Sequence, residues 1–234
     1  MKLRLLEHYV STQGEGPKVG VLTQFVRFAG CNLKCAKWAC DTPYAIDPKL
    51  YRTEQVPVSY EELAEKIVKQ YVATGATNVC FTGGEPLLQP QDALAATIDE
   101  LLKSYGFLRF EMFTNGTKPI IPDLIDEIDF VMDWKLPGSG EDPNNQERIE
   151  NLKVIDTGNN SVKFTVADVD DLNMASDIWA DHLMESPLQV FVGAVWGKID
   201  NAVILDFIKA YRLPWRLNVQ THNYIYGGPT QRGI

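Results

Sequence analysis

Short apolar runs alternate along the chain with longer stretches in which apolar residues recur every three or four positions. The short runs, residues 23–28, 79–82, 108–113, 130–133, 162–166, 188–192 and 215–220, have the length and composition of strands. Helical stripes fall between most of them: Leu63, Ile67, Val68 and Tyr71; Leu94, Ile98, Leu101 and Leu102; Ile204, Phe207, Ile208 and Tyr211. Ser59-Tyr60-Glu61-Glu62 has the form of a capping box and marks where the first helix starts. Such repetition predicts an α/β fold of mostly parallel strands, either an open sheet or a full or partial (β/α) barrel. In both, functional groups gather beyond the C-terminal ends of the strands. Thr82-Gly83-Gly84-Glu85-Pro86, Thr114-Asn115-Gly116 and Asp133-Trp134-Lys135 all fall at such ends, which predicts one shared pocket. Residues 137–150, polar and rich in turn formers, are expected to form a mobile surface loop.

The length, 234 residues, suffices for one sizeable core and is read as a single domain, 1–234. A composition 45% hydrophobic and 23% charged excludes disordered, collagen-like and disulfide-scaffold classes without selecting a function. The start MKLRLLEHYVSTQGEG lacks the apolar core of a signal peptide, and no run approaches the length of a membrane span. A cytoplasmic location and no membrane partner are expected. In that compartment thiols stay reduced, so clustered cysteines point to metal or catalytic roles rather than disulfides. The formal charge of −9, with no basic stripe longer than Arg212-Leu213-Pro214-Trp215-Arg216, argues against a nucleic-acid partner.

Cys31, Cys35 and Cys40 crowd into ten residues of the stretch GCNLKCAKWACDTPYA. Three thiolates can hold three irons of a [4Fe–4S] cluster and leave the fourth open to activate a ligand. A zinc knuckle is the alternative, but structural zinc takes four ligands. The remaining cysteine, Cys80, lies in a candidate strand and reads as a small core hydrophobe. Gly83-Gly84-Glu85-Pro86 alone would fit an ordinary βα turn. Beside the cysteines, its glycines would let a ligand approach the backbone, and Glu85 could accept a bond from an ammonium group.

Together GCNLKC, the further cysteine followed by Asp41-Thr42, and TGGEP resemble the radical S-adenosylmethionine (SAM) enzymes. In that family SAM chelates the open iron, and an electron from the cluster cleaves it to a 5′-deoxyadenosyl radical. A narrower resemblance covers nearly the whole chain: STQGEG, FVRFAGCNLKC, CDTPYA, TGGEPLLQ and the terminal QTHNYIYGGPTQRGI are similar to the 7-carboxy-7-deazaguanine synthase family. It implies a partial (β/α) barrel of the radical SAM type. It also implies conversion of 6-carboxy-5,6,7,8-tetrahydropterin to 7-carboxy-7-deazaguanine with loss of ammonia, in 7-deazapurine (queuosine) biosynthesis. The implied cofactors are a [4Fe–4S] cluster, SAM and Mg²⁺; the implied partners are a reductase or flavodoxin-type electron donor and a second copy in a homodimer.

By position, the resemblance assigns Cys31, Cys35 and Cys40 to the cluster and Thr42 to magnesium. It assigns Ala39, Cys40, Asp41, Gly84, Glu85, Asp133, Trp134 and Lys135 to SAM, and Thr12, Gln13, Gly14, Glu15, Arg27, Thr82 and His222 to the pterin. A planar guanidinium such as that of Arg27 suits a carboxylate. Read alone, Arg27 could be a surface ion pair and His222 a structural hydrogen bonder, the role expected of His8 and His182. The chain departs from the family pattern in placing four residues between Cys35 and Cys40, which displaces an aromatic residue to Trp38. It also carries Asp133 where relatives usually have serine, and its tail runs past Pro229. A glycyl-radical-activating enzyme and a non-catalytic metal- or cluster-binding module are the other readings these residues allow.

Overall fold

The computed structural model describes residues 1–38, 40–157 and 159–228. Its nine described strands are β1 (Leu3–Thr12), β2 (Leu22–Phe28), β3 (Val56–Val58), β4 (Asn78–Gly83), β5 (Arg109–Thr114), β6 (Ile128–Trp134), β7 (Ser161–Val166), β8 (Gln189–Ala194) and β9 (Arg216–Leu217). They form one sheet in the order β3-β1-β2-β4-β5-β6-β7-β8-β9. Every neighbouring pair from β2 to β9 is parallel, whereas β1 is antiparallel to both β2 and β3. The edges β3 and β9 do not meet, so the sheet is open, as a partial barrel requires. The helices are α1 (Pro43–Ile46), α2 (Pro48–Tyr51), α3 (Tyr60–Thr74), α4 (Gln91–Leu102), α5 (Gln146–Ile155), α6 (Val169–His182), α7 (Asn201–Tyr211) and α8 (Thr221–Tyr226).

Pleating divides the sheet into two chemically different faces. Val26 and Phe28, Val79 and Phe81, Phe110 and Met112, Phe130 and Met132, and Val162 and Phe164 are buried in one core with Leu63, Ile67, Leu94, Ile98 and Leu101 of the helices. Burying each such side chain contributes about 1.5–3 kcal/mol, so this face drives folding. The intervening positions carry Arg27, Thr82, Glu111, Asp133 and Lys163 on the other face. The register sets Arg27 beside Thr82, and Asp133 beside Lys163. The Ser59 capping box forms as expected, and Gly75 closes α3 in the left-handed conformation, with φ 74°.

Several elements differ from the sequence expectation. β1 was not apparent because a register shift between Leu5 and Glu7 interrupts its alternation. The expected strand at 215–220 shortens to Arg216–Leu217, and His222 lies in α8. Residues 137–150 are not a mobile surface loop: Ser139 and Arg148 are fully buried, and α5 begins at Gln146. That helix packs through polar groups, since Asn151 donates to the carbonyls of Gly116 and Lys118 and accepts from the Ile120 amide. Hydropathy alone could not reveal such a face.

Gly83 joins β4 to the next turn at φ 140°, and a Cβ there would collide with the Phe28 backbone. Gly83→Ala is therefore expected to cost about 3 kcal/mol or more, from backbone strain and overpacking together. Urea unfolding measures this directly; a loss below about 1 kcal/mol would contradict the assignment.

Candidate active site

Beyond the C-terminal ends of the parallel strands the polar face opens into a cavity of about 210 Å³. One wall is the cysteine loop that follows β2, and Cys31, Cys35 and Cys40 all line it. Cys31 Sγ accepts from the Leu33 amide at 3.4 Å and from Asn115 Nδ2 at 3.8 Å. Cys35 has a left-handed backbone, φ 44°, and its amide donates to Glu141 Oε1 at 2.7 Å. Burial pushes the Cys31 thiol up to about 11 and raises that of Cys35, the latter opposed by the Lys135 ammonium. Among the described residues no three His, Cys, Asp or Glu side chains close on a single ion. An iron–sulfur cluster, which gives each thiolate its own iron and draws N–H bonds to sulfur, fits this all-thiol wall.

The Gly-Gly-Glu-Pro turn abuts the base of that loop. The Gly84 amide donates to Phe28 O at 3.1 Å and the Glu85 amide to Gly30 O at 2.8 Å. A Cβ at Gly84 would run into the Gly30 carbonyl, so these glycines are needed first for the protein's own backbone packing. Glu85, fully buried, accepts from the Leu87 amide, the Asn115 amide and Thr114 Oγ1 at 2.7–2.9 Å. Burial raises its pKa against those bonds. Glu85 therefore lines the cavity with its oxygens largely engaged in holding the turn, where the sequence suggested an acceptor free for an ammonium group.

Asp133 and Lys135 reach the cavity, but Trp134 does not. Strand alternation turns its indole into the core, 1% exposed, against Phe164 and His182, with Nε1 donating to Pro143 O at 2.8 Å. Trp38 is buried, and Lys135 Nζ lies 5.4 Å from its ring centre, a cation–π distance. Lys163, which the sequence reading passed over, is the hub of this wall. Its Nζ pairs with Glu15 Oε2 at 2.7 Å and Asp133 Oδ2 at 3.2 Å, while Lys135 Nζ pairs with Asp133 Oδ2 at 2.9 Å. Burial opposes the charge on both acids, yet the lysines prevail: Asp133 is held down at about 2 and Glu15 below its usual range. Asp133 Oδ1 is buried with no hydrogen-bond partner among the described residues. A lysine inside the apolar run Val162–Phe164 was the available signal, since buried lysines need a partner.

The residues assigned to the pterin line the same cavity. Arg27 Nε donates to Glu7 Oε1 at 2.6 Å and Nη2 to Tyr9 Oη at 2.9 Å, and Tyr44 Oη also donates to Glu7. Its guanidinium is thus an ion pair, but one built into the cavity wall rather than the outer surface. Thr12, Thr82, Asp41 and Thr42 line the same space, with Thr42 Oγ1 3.6 Å from Cys40 Sγ. Gln13 Nε2 donates at 2.5 Å to Glu111, a buried carboxyl group that the sequence reading passed over. Cys80 is buried as expected and forms part of the floor. Residues 14–15 and 220–222, from segments near the two ends of the sequence, meet here. The His222 ring sits where a Cβ on Gly14 would be, Thr221 N donates to Gly14 O at 3.1 Å, and Gln220 Nε2 donates to Glu15 Oε1 at 2.6 Å. His8 and His182 are structural, bonded to Gln24 and stacked on Trp134. Ala39 and the tail from Pro229 lie outside the described residues.

Lys163→Met would leave Glu15 and Asp133 short of a cation, and breaking such buried pairs costs about 3–5 kcal/mol. Because the folded-state pKa values of these acids are depressed, their contribution is complete above the ordinary carboxylate range and lost as pH falls through the folded values, about 2 for Asp133. The stability gap between wild type and Lys163→Met is therefore expected to be widest at neutral pH and to narrow from about pH 4 towards pH 2. Denaturant unfolding across this range measures it; a gap independent of pH would contradict the pairing.

Residues 25–173 match the model of the radical SAM superfamily. Over its full length the chain is 34% identical to 7-carboxy-7-deazaguanine synthase of Clostridium acetobutylicum, all of which is covered. It is also 34% identical to the 7-carboxy-7-deazaguanine synthase of Leptospira interrogans, with 100% of this chain and 99% of the relative covered. The crystal structure of QueE from Escherichia coli shares the fold, with a TM-score of 0.72 over 94% of each chain at 22% identity. With three cysteines, the Gly-Gly-Glu-Pro turn and the paired chain ends around one cavity, the chain belongs to the 7-carboxy-7-deazaguanine synthase family of the radical SAM superfamily.

Proposed function

We propose that this chain converts 6-carboxy-5,6,7,8-tetrahydropterin to 7-carboxy-7-deazaguanine with loss of ammonia, a step of 7-deazapurine (queuosine) biosynthesis. The observation that carries the reading is that Arg27 lines the same cavity as Cys31, Cys35 and Cys40. Those cysteines would hold a [4Fe–4S] cluster, which together with SAM supplies a carbon radical able to take hydrogen from an unactivated position. The remaining work falls to the residues of the chain. Arg27, kept in place by Glu7 and Tyr9, would direct its guanidinium at the pterin carboxylate. Gln13, held by Glu111, and Glu15, held by Lys163 and Gln220, would orient the polar ring edge, with Thr12, Gly14, Thr82 and His222 completing the contact.

Asp133 offers its unpartnered Oδ1, and Lys135 its ammonium, to SAM; Asp41, Gly84 and Glu85 would frame the same ligand. Any contribution from position 134 would come through its backbone. Mg²⁺ would take Thr42 Oγ1 and fill its remaining positions with substrate oxygens and water, as a cation that dehydrates reluctantly does. The apolar and ring-bearing parts of the wall, Tyr9, Phe25 and Phe113, exclude water from the reacting carbon. A single catalytic domain working in the cytoplasm, fed by a reductase or flavodoxin-type donor and paired as a homodimer, completes the proposal. No helix among the described residues is long and apolar enough to cross a membrane.

Anaerobic equilibrium binding tests the carboxylate grip. Wild type is expected to prefer 6-carboxytetrahydropterin over tetrahydropterin, and Arg27→Gln to lose about 30-fold or more in affinity for the carboxylated ligand only. SAM affinity should be unchanged. Equal affinity of the two proteins for the carboxylated pterin would overturn the assignment.

A further inference from the structure

We propose that Glu141 is a positioning residue for the cysteine loop, its carboxylate fixing the backbone from which Cys35 presents its thiolate. The proposal rests on reading Cys31, Cys35 and Cys40 as cluster ligands. Glu141 Oε1 accepts two consecutive amides of that loop, Lys34 N at 2.8 Å and Cys35 N at 2.7 Å. Convergent backbone N–H groups of this kind make an anion site, and here the anion is the chain's own. Cys35 needs such an anchor because its φ of 44° is unfavourable for a residue with a Cβ. Two bonds to an ionised acceptor outweigh that strain.

The post that carries Glu141 is rigid. Ser139 is fully buried, with Oγ donating to Leu136 O and accepting the Glu141 amide. Gly138 N donates to Asp171. Arg148, also fully buried, donates from Nη1 to Asp142 O at 2.7 Å and from Nε to Asn115 O at 2.9 Å. Asn115 in turn reaches Cys31 Sγ. One guanidinium therefore ties the strand end behind Cys31 to the post in front of Cys35.

The same post accommodates the long spacing between Cys35 and Cys40. Lys37 N donates to Ser139 O, and Lys37 Nζ to Pro137 O, each at 3.2 Å. Gly140, at φ 87°, leaves room for the Lys37 side chain, whose Cγ lies 3.2 Å from where a Cβ would stand. Lys37, one of the four residues between Cys35 and Cys40, is thereby seated against the post.

A negative charge bonded to the amide of a ligand cysteine also disfavours adding an electron to the cluster, so its removal should move the midpoint potential to more positive values. Full-length wild type, Glu141→Gln and Glu141→Ala would be reconstituted anaerobically with iron and sulfide. Iron content, release of iron to a ferrous chelator and the potential of the cluster by EPR titration would then be measured. Glu141→Gln keeps an acceptor but no charge, so a positive shift in potential with release between the other two proteins is expected. Glu141→Ala should release iron about tenfold faster, the scale of losing charge-assisted bonds. Release from Glu141→Ala at the wild-type rate, or a potential unchanged in Glu141→Gln, would overturn the proposal. Wild-type protein that takes up no cluster would overturn the cluster reading itself, a result distinct from failure of the Glu141 variants alone.

Discussion

A sheet that buries apolar side chains on one face can carry charge on the other only if each charge finds a partner of opposite sign. In this protein the pairing of Lys163 with Glu15 and Asp133 meets that condition. Glu15 belongs to the segment after β1, Asp133 to β6 and Lys163 to β7. The ammonium therefore joins the N-terminal motif to the centre of the parallel sheet. Without it, the wall that faces both candidate ligands would carry two buried anions against Lys135 alone. With it, the acids stay ionised at neutral pH and keep fixed orientations, as a preorganised polar site requires.

The same logic recurs around the cavity. Arg27 is paired with Glu7, whereas Glu111, whose pKa burial raises, is held by the neutral amides of Gln13 and Asn78. Arg148 is different: among the described residues no carboxylate lies at hydrogen-bond distance from it, and it donates instead to two backbone carbonyls. Arg27, Gln13 and Glu15 each stand on a second residue that holds it, so this part of the cavity has a fixed shape. The open sheet contributes the rest: parallel strands deliver their C-terminal ends to one rim, where the ends of β2, β4 and β6 supply the cysteine loop, the Gly-Gly-Glu-Pro turn and the Asp133–Lys135 pair.

What could be read from sequence was mostly local. The parallel strands from β2 to β8 showed as apolar runs because residues near the core lie on one face and short polar insertions did not break them. The cysteine and Gly-Gly-Glu-Pro motifs are contiguous, and their residues do come together around one space. The unread parts depend on distance or irregularity. Lys163 and Glu15 are 148 residues apart, so nothing in either neighbourhood announces their contact. Glu141 sits in a polar stretch that looks like a loop until Arg148 and Ser139 are seen buried beneath it. β1 is hidden by a register shift, and α5 by making its buried contacts through Arg148 and Asn151. The Trp134 side chain turns into the core because of the two-residue alternation of a strand, which a motif read as a block does not show.

The central claim is that one cavity unites a cluster, SAM and a carboxylated pterin for ring contraction. It is tested most directly by mass spectrometry of an anaerobic reaction containing reconstituted protein, SAM, Mg²⁺, a strong reductant and 6-carboxytetrahydropterin. Formation of 7-carboxy-7-deazaguanine is expected, which would also show that the four-residue spacing between Cys35 and Cys40 supports a working cluster. Absence of that product from protein with an intact cluster and bound SAM would contradict the claim.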